Sequence, residues 1–165
     1  MDIVIRHARE EDLPGAGEVC VEAFVGGGHT APDGPYVDLL RDTARRAREA
    51  ELLVAVDGGP GGQVLGCVTF AAGGTAWADV AEPHEGEIRM LATGAPARGR
   101  GVGEALVRAA LARSGALGLT AMAFSTRPDM HAAHRLYERI GFRRAPGRDW
   151  SPAPGIDLLV YGKAL

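Results

Sequence analysis

A chain of 165 residues, 46% hydrophobic and 24% charged, has ordinary globular composition and the length of one domain. A chain of this size buries about 70% of its unfolded surface, enough for a core without disulfide or metal staples. The net charge of −3 excludes a broad basic face for nucleic acid, and the chain has no apolar run of the roughly 18 residues a membrane span needs.

The N-terminus, Met1-Asp2-Ile3-Val4-Ile5-Arg6, reads as a strand and not as a signal peptide, so a cytoplasmic protein is expected. The glycine, alanine and arginine bias fits a high-GC bacterial genome. Cys20 and Cys67 are far apart in sequence and form neither Cys-x-x-Cys nor a zinc spacing. Both lie in apolar runs and read as two buried, reduced thiols; no metal is expected.

Residues 2–8 alternate as a strand. Glu10, Glu11 and Asp12 then place acid in the first turn of a helix, where the dipole favours it, and Val19, Cys20, Ala23 and Phe24 give that helix an apolar face. Residues 26–35 have loop composition. A second helix is predicted over 36–50, with Leu39, Leu40, Ala44 and Ala47 on one side. Arg41, Arg45, Arg46 and Arg48 fall mostly on the other, as a solvated face or a patch for an anionic substrate. Strands over 51–56 and 63–71 flank a glycine-rich hairpin turn at 57–62. Residues 73–84 form an irregular connection holding Trp77.

A strand follows at 87–93, then Arg98-Gly99-Arg100-Gly101-Val102-Gly103, then a helix from Glu104 to about Ser114. A strand feeding a glycine-rich turn that opens a helix is an anion site. The first amides of a helix lack internal partners, the dipole adds about half a positive charge there, and glycines admit a phosphate to the backbone. The nucleotide P-loop is excluded, because it needs Lys-Ser or Lys-Thr and Lys163 is the sole lysine. The dinucleotide fingerprint is excluded by the spacing Gly-x-Gly-x-Gly and the missing acid after the next strand. Arg-x-x-Gly-x-Gly fits 98–103 completely.

The remaining elements are an apolar strand at 119–124 and a helix opened by a capping box at Thr126-Arg127-Pro128-Asp129. That helix carries Met130, Ala133, Leu136, Tyr137 and Ile140 and ends at Gly141. A short strand from Phe142, a proline-rich loop over 145–155 and a closing strand over 156–161 complete the order β-α-α-β-β-β-α-β-α-β-β.

With Arg-x-x-Gly-x-Gly in place, a second segment matches in register. Leu136-Tyr137-Glu138-Arg139-Ile140-Gly141-Phe142, with Ala133 upstream, resembles the Leu-Tyr-Glu-x-x-Gly-Phe signature of the GNAT superfamily of acetyl-CoA-dependent N-acetyltransferases. The resemblance is close over 86–143. It implies a mixed α/β fold: a twisted mixed sheet of about six to seven strands with about four helices on its faces, and a splay between the strands at 87–93 and 119–124. It implies that Leu91 and Thr93 backbone groups hold pantetheine in that gap. The amides of Arg98, Gly99, Arg100, Gly101, Val102, Gly103 and Glu104 would then meet the coenzyme A pyrophosphate.

The resemblance also implies Tyr137 as the acid that protonates the leaving thiolate and Glu87 as the base for the amine. Glu82, His84 and Glu85 lie close enough in sequence to substitute for Glu87, while His131 and His134 read as facing solvent or coenzyme. Met130 stands where relatives often carry asparagine. The acceptor groove is expected from residues 26–35, the second helix and residues 145–155. Tyr36, Trp77 and Trp150 are candidate walls, and Glu82, Glu85 and Asp149 candidate partners of a cation. Acetyl transfer to a primary amine of a small molecule or protein is thus one reading. A non-catalytic acyl-CoA-binding module is the alternative, and it predicts coenzyme binding without transfer. A homodimer is compatible with either.

Overall fold

Leu52, Val54 and Val56 pack toward one layer of helices, and Leu53 and Ala55 toward the other. Their strand is therefore apolar throughout, as a strand covered on both faces must be. The computed structural model describes residues 2–58 and 62–165, so the tip of the hairpin turn expected at 57–62 lies outside the described residues.

Among the described residues there are eight strands and five α-helices. The strands are β1 (Ile3–His7), β2 (Glu51–Asp57), β3 (Val64–Ala72), β4 (Glu85–Thr93), β5 (Ala121–Thr126), β6 (Arg143–Arg144), β7 (Trp150–Ala153) and β8 (Ile156–Ala164). They pair in the order β1-β2-β3-β4-β5-β8-β6, with β7 added on β8. Only β4 and β5 run parallel; every other pair is antiparallel. Helices α1 (Leu13–Gly26), α2 (Pro35–Arg41) and α3 (Thr43–Glu49) cover one face through Ala16, Val19, Cys20, Leu40 and Ala47. Helices α4 (Val102–Ala116) and α5 (His131–Ile140) cover the other through Val102, Leu106, Ala110, Tyr137 and Ile140. Burying a side chain such as Leu106 fully contributes about 1.5–3 kcal/mol. No described helix is long and apolar enough to cross a membrane.

Four expectations are corrected. The second helix is two short ones, because Asp42 leaves the helical region and its side chain accepts from Arg45 N–H at 3.2 Å, capping α3. An aspartate gains more as an N-cap than inside a helix. Arg46 of α3 does not belong to a solvated face; it is fully buried. Nor does Thr126 cap α5. Thr126 ends β5, and α5 begins at His131 after Met130, with no side-chain cap. The loop over 145–155 also hides a short strand, β7, whose Pro152 is tolerated because β7 pairs on one side only.

Candidate active site

The site begins as an irregularity in β4. Against β3, Thr69 pairs with Arg89 and Cys67 with Ala92, so two steps along β3 match three along β4. The extra residue is a β-bulge, and Met90 absorbs it at φ 52°, a left-handed conformation rare for a non-glycine residue. On its other edge β4 pairs with β5 only over Glu85–Glu87 against Ala121–Ala123. Beyond Glu87 the two strands part. Gly94 N–H donates to Leu65 O on β3. Alternation along the strand then turns the amides of Thr93 and Leu91 toward the open edge.

A cavity of about 540 Å³ fills the gap, walled by Met90, Leu91, Ser125, Met130, Ala133 and Tyr137 among others. A second hollow of about 420 Å³ shares Phe24, Leu91, Met130 and Ala133 with it and extends along Thr93 to Arg98. Next comes the glycine-rich turn. Gly99 and Gly101 both sit at φ 77°, where other residues are strained, and Gly101 is the N-cap of α4. The first intrahelical bond runs from Ala105 N–H to Gly101 O at 3.0 Å. The amides of Val102, Gly103 and Glu104 therefore lie ahead of it at the positive end of α4. A Cβ at Gly103 would stand 3.4 Å from Leu136 and 3.6 Å from Thr93 Oγ1, so the missing side chain keeps the gap between β4 and α5 open.

Tyr137 stands between the layers. Its ring stacks on Phe124, centroids 3.8 Å apart, and meets Phe142 edge-on. Burial pushes its phenol well above the ordinary value, so it keeps its proton at neutral pH. Glu87 is placed differently from the expectation. It is fully buried and does not wall the cavity. Its Oε1 accepts from Val80 N–H at 2.7 Å and Ala81 N–H at 2.9 Å, while Oε2 is buried without a partner. Burial raises its carboxyl above the usual range, and the backbone amides of Val80, Ala81 and Asp79 hold it down only in part.

The carboxylate that reaches the cavity is Asp79, which sequence reasoning missed. Its neighbour is Arg89, with Nη2 3.3 Å from Asp79 Oδ2 and Nη1 donating to Trp77 O. An arginine amid the apolar residues of 88–91 was the available signal. Of the expected groove residues, Tyr36 and Trp150 do wall the cavity. Trp77 does not: it is buried between Arg45 and Arg89 and donates to Glu49. Glu85 and Asp149 are not open to a cation, being held by Arg148 at 2.7 Å and Arg144 at 2.7 Å. Glu104's carboxylate ties α4 to α5 through Arg139 at 3.4 Å. Glu82 and His84 are exposed, 3.8 Å apart. His131 is exposed, but His134 is buried, its Nε2 3.0 Å from Arg127 O and 3.2 Å from Thr126 Oγ1. Since a carbonyl only accepts, Nε2 carries the proton.

A strand edge freed by a bulge, beside a glycine-opened helix N-terminus and a buried tyrosine, is the equipment of an acyl-coenzyme-binding fold. Residues 18–142 match the model of the acetyltransferase (GNAT) family, and the chain belongs to that family. Solved structures agree in fold. A GNAT-family acetyltransferase from Staphylococcus aureus Mu50 superposes with a TM-score of 0.78 at 13% identity, covering 99% of each chain. A GCN5-related N-acetyltransferase from Kribbella flavida gives 0.73 at 24% identity, over 99% of this chain and 98% of that one. The PaiA N-acetyltransferase from Thermoplasma acidophilum, solved with coenzyme A, gives 0.73 at 17% identity over all of both chains. Among curated proteins, none matches this sequence.

Proposed function

We propose that this protein is an N-acetyltransferase that moves the acetyl group of acetyl-CoA to the primary amine of a small, largely apolar acceptor. The observation that carries the reading is the cavity at the parting of β4 and β5, with the open end of α4 at one side and Tyr137 in its wall. Pantetheine adds to the free edge through the Leu91 and Thr93 backbone. The amides of Gly99, Gly101, Val102, Gly103 and Glu104 take the pyrophosphate; the amides of Arg98 and Arg100, expected there too, donate instead to Ala95 O and Ala97 O, and only their side chains lie beside it.

The thioester is already activated, so direct attack by the amine in a ternary complex suffices and no covalent enzyme intermediate is needed. Tyr137, kept protonated by burial, donates to the departing thiolate. The amine's proton passes to Asp79, the carboxylate at the cavity wall, directly or through water. Glu87, the base the sequence suggested, acts instead as a positioning residue: it gathers the Val80 and Ala81 amides and so sets Asp79 in place.

The acceptor follows from the walls. Phe24, Pro35, Leu39, Trp150 and Leu158 are apolar, and Asp79 is the sole acid among the described lining residues, already facing Arg89. Such a site suits a monoamine on an aromatic or aliphatic body and disfavours polycations. Calorimetric titration with acetyl-CoA, followed by thiol release against an amine panel, tests both parts. Micromolar binding and turnover of aryl- or alkylamines are expected. Binding without transfer to any amine would mark an acyl-CoA-binding module, and no binding would overturn the reading.

A further inference from the structure

On the sheet face opposite α4, away from the acetyl-transfer machinery, two groups stand out that the proposed reaction does not use. Cys20 of α1 and Cys67 of β3, 47 residues apart in sequence, are fully buried with their Sγ atoms 3.1 Å apart. Both are free. Beside them lies the Arg46 guanidinium, also fully buried. Its Nη1 donates to Thr69 Oγ1 at 2.9 Å, and its Nη2 to Leu40 O at 2.6 Å and Cys20 Sγ at 3.6 Å; Nε has no partner.

No carboxylate pairs with Arg46 among the described residues. A guanidinium does not lose its proton in a protein, and a buried charge without a counter-charge costs several kcal/mol, roughly, per ion. The group placed to supply that charge is the Cys20 sulfur. The hydrogen bond from Cys67 favours the Cys20 thiolate, and the charge of Arg46 adds to it against the pull of burial. Cys67, left with the proton, is pushed up and donates to Cys20, with Ala16 O 3.7 Å away as a second acceptor. A thiolate, a protonated thiol in contact with it and a fixed cation are the parts of a dithiol redox centre.

We propose that Cys20 and Cys67 are an oxidation site, with Arg46 as its charge partner, that closes to an intramolecular disulfide on reaction with hydrogen peroxide. The Cys20 thiolate attacks one peroxide oxygen. The O–O bond breaks, hydroxide leaves and takes from solvent the proton that Cys20 gave up on ionising, forming water, and Cys20 becomes a sulfenic acid. Cys67 then attacks the sulfenic sulfur; the S–O bond breaks and the hydroxyl departs as water with the Cys67 proton. Two thiols are oxidised by two electrons in total, and one peroxide is reduced to two waters. Closing to a disulfide length of about 2.0 Å asks the sulfurs to move by only about 1 Å. Burial shuts out bulky disulfides, but peroxide is small and uncharged.

Oxidation has a structural consequence. The disulfide carries no charge, so Arg46 is left unpaired in the apolar layer. Arg46 holds the carbonyl of Leu40 in α2, and α2 supplies Pro35, Tyr36 and Leu39 to the cavity wall. The acceptor side therefore loosens, while the α4 end that takes the coenzyme is untouched.

The test is intact-mass spectrometry and peptide mapping of the full chain after peroxide, which is quenched before the chain is unfolded in the presence of dimedone, the sulfenic-acid probe, so that burial does not bar the probe. Wild type should lose two hydrogens reversibly with dithiothreitol and yield a Cys20–Cys67 cross-linked peptide. Cys67→Ser should trap dimedone at Cys20; Cys20→Ser should trap none at Cys67. Arg46→Met should slow oxidation at least tenfold. If that variant does not fold, the two serine variants still decide. Equal trapping at both sulfurs, or no loss of two hydrogens from wild type at peroxide levels that oxidise the half-buried Met130, overturns the proposal.

Discussion

Ile88 and Met90 lie two residues apart on β4 yet pack on opposite faces of the sheet, Ile88 with α4 and Met90 with α1. A regular strand would place both on one face. The bulge at Met90 reverses the alternation, and the same irregularity leaves the Leu91 and Thr93 edge without a strand partner. The open strand edge and the core packing thus share one cause.

Tyr137→Phe keeps the ring that stacks on Phe124 and removes only the proton donor. The expected result is a fall in kcat of about a hundredfold, with binding of acetyl-CoA and melting temperature little changed. Steady-state kinetics beside a calorimetric titration check this; an unchanged kcat would remove Tyr137 from the acid role.

Gly103 and Gly101 separate stability from binding. Gly101→Ala forces a side chain into the left-handed region and should destabilise the fold by about 1–2 kcal/mol. Gly103→Leu meets no such strain, and leucine favours a helix by nearly 1 kcal/mol, roughly, over glycine. Its side chain instead enters the gap toward Thr93 and Leu136. The expected outcome is a melting temperature held or raised while the Kd for acetyl-CoA rises more than about tenfold. Equal losses in both measurements would mean that the gap is not where coenzyme lies.

Asp79→Asn and Glu87→Gln distinguish the two candidate bases. Asp79→Asn is expected to lower kcat/KM for the amine by about 10²-fold. A glutamine at 87 can still accept from Val80 and Ala81, so its kcat should stay within about threefold of wild type. The opposite pattern would return the base role to Glu87.

The same Glu87→Gln variant carries a pH signature. Burial raises the folded-state carboxyl of Glu87, so the folded protein holds its proton to higher pH than the unfolded chain. Its contribution to stability is fully present below the ordinary carboxylate range and is lost as pH rises through the raised value. The melting temperature of wild type, followed between about pH 4 and 8, should carry this decline, and Glu87→Gln should flatten it. Asp149 works with the opposite sign. The Arg144 hydrogen bond holds its carboxyl down, so its contribution persists through neutral pH and is lost on acidification.

Much of the architecture was legible because burial imposes short periods on a chain. The doubly apolar run of 51–56, the amphipathic stretch ending at Gly141 and the glycines of 99–103 each carry their meaning within a few residues. So do Arg98 to Gly103 and Leu136 to Phe142, whose order and spacing identified the family before any fold was known. What failed was local too. Thr126 has the spacing of a helix cap, but a strand partner and His134 claim it first.

The fate of the charged side chains was decided elsewhere, because a charge is assigned by whatever the fold brings within a few ångströms. Glu85 and Asp149 look like a cation site in sequence until Arg148, 63 residues beyond Glu85, and Arg144 occupy them. Arg46 looks solvated until Thr69 and Cys20 surround it. Glu87 reads as a free carboxylate until its Oε1 accepts from two amides of the segment before it. Sequence alone determined most of the order of elements, the glycine-rich turn that opens α4 and the place of Tyr137 on α5, each set by neighbours along the chain. Only the tertiary structure decided the bulge at Met90, the cavity, Asp79 as its acid and the meeting of Cys20 with Cys67, since contacts between distant segments create all four.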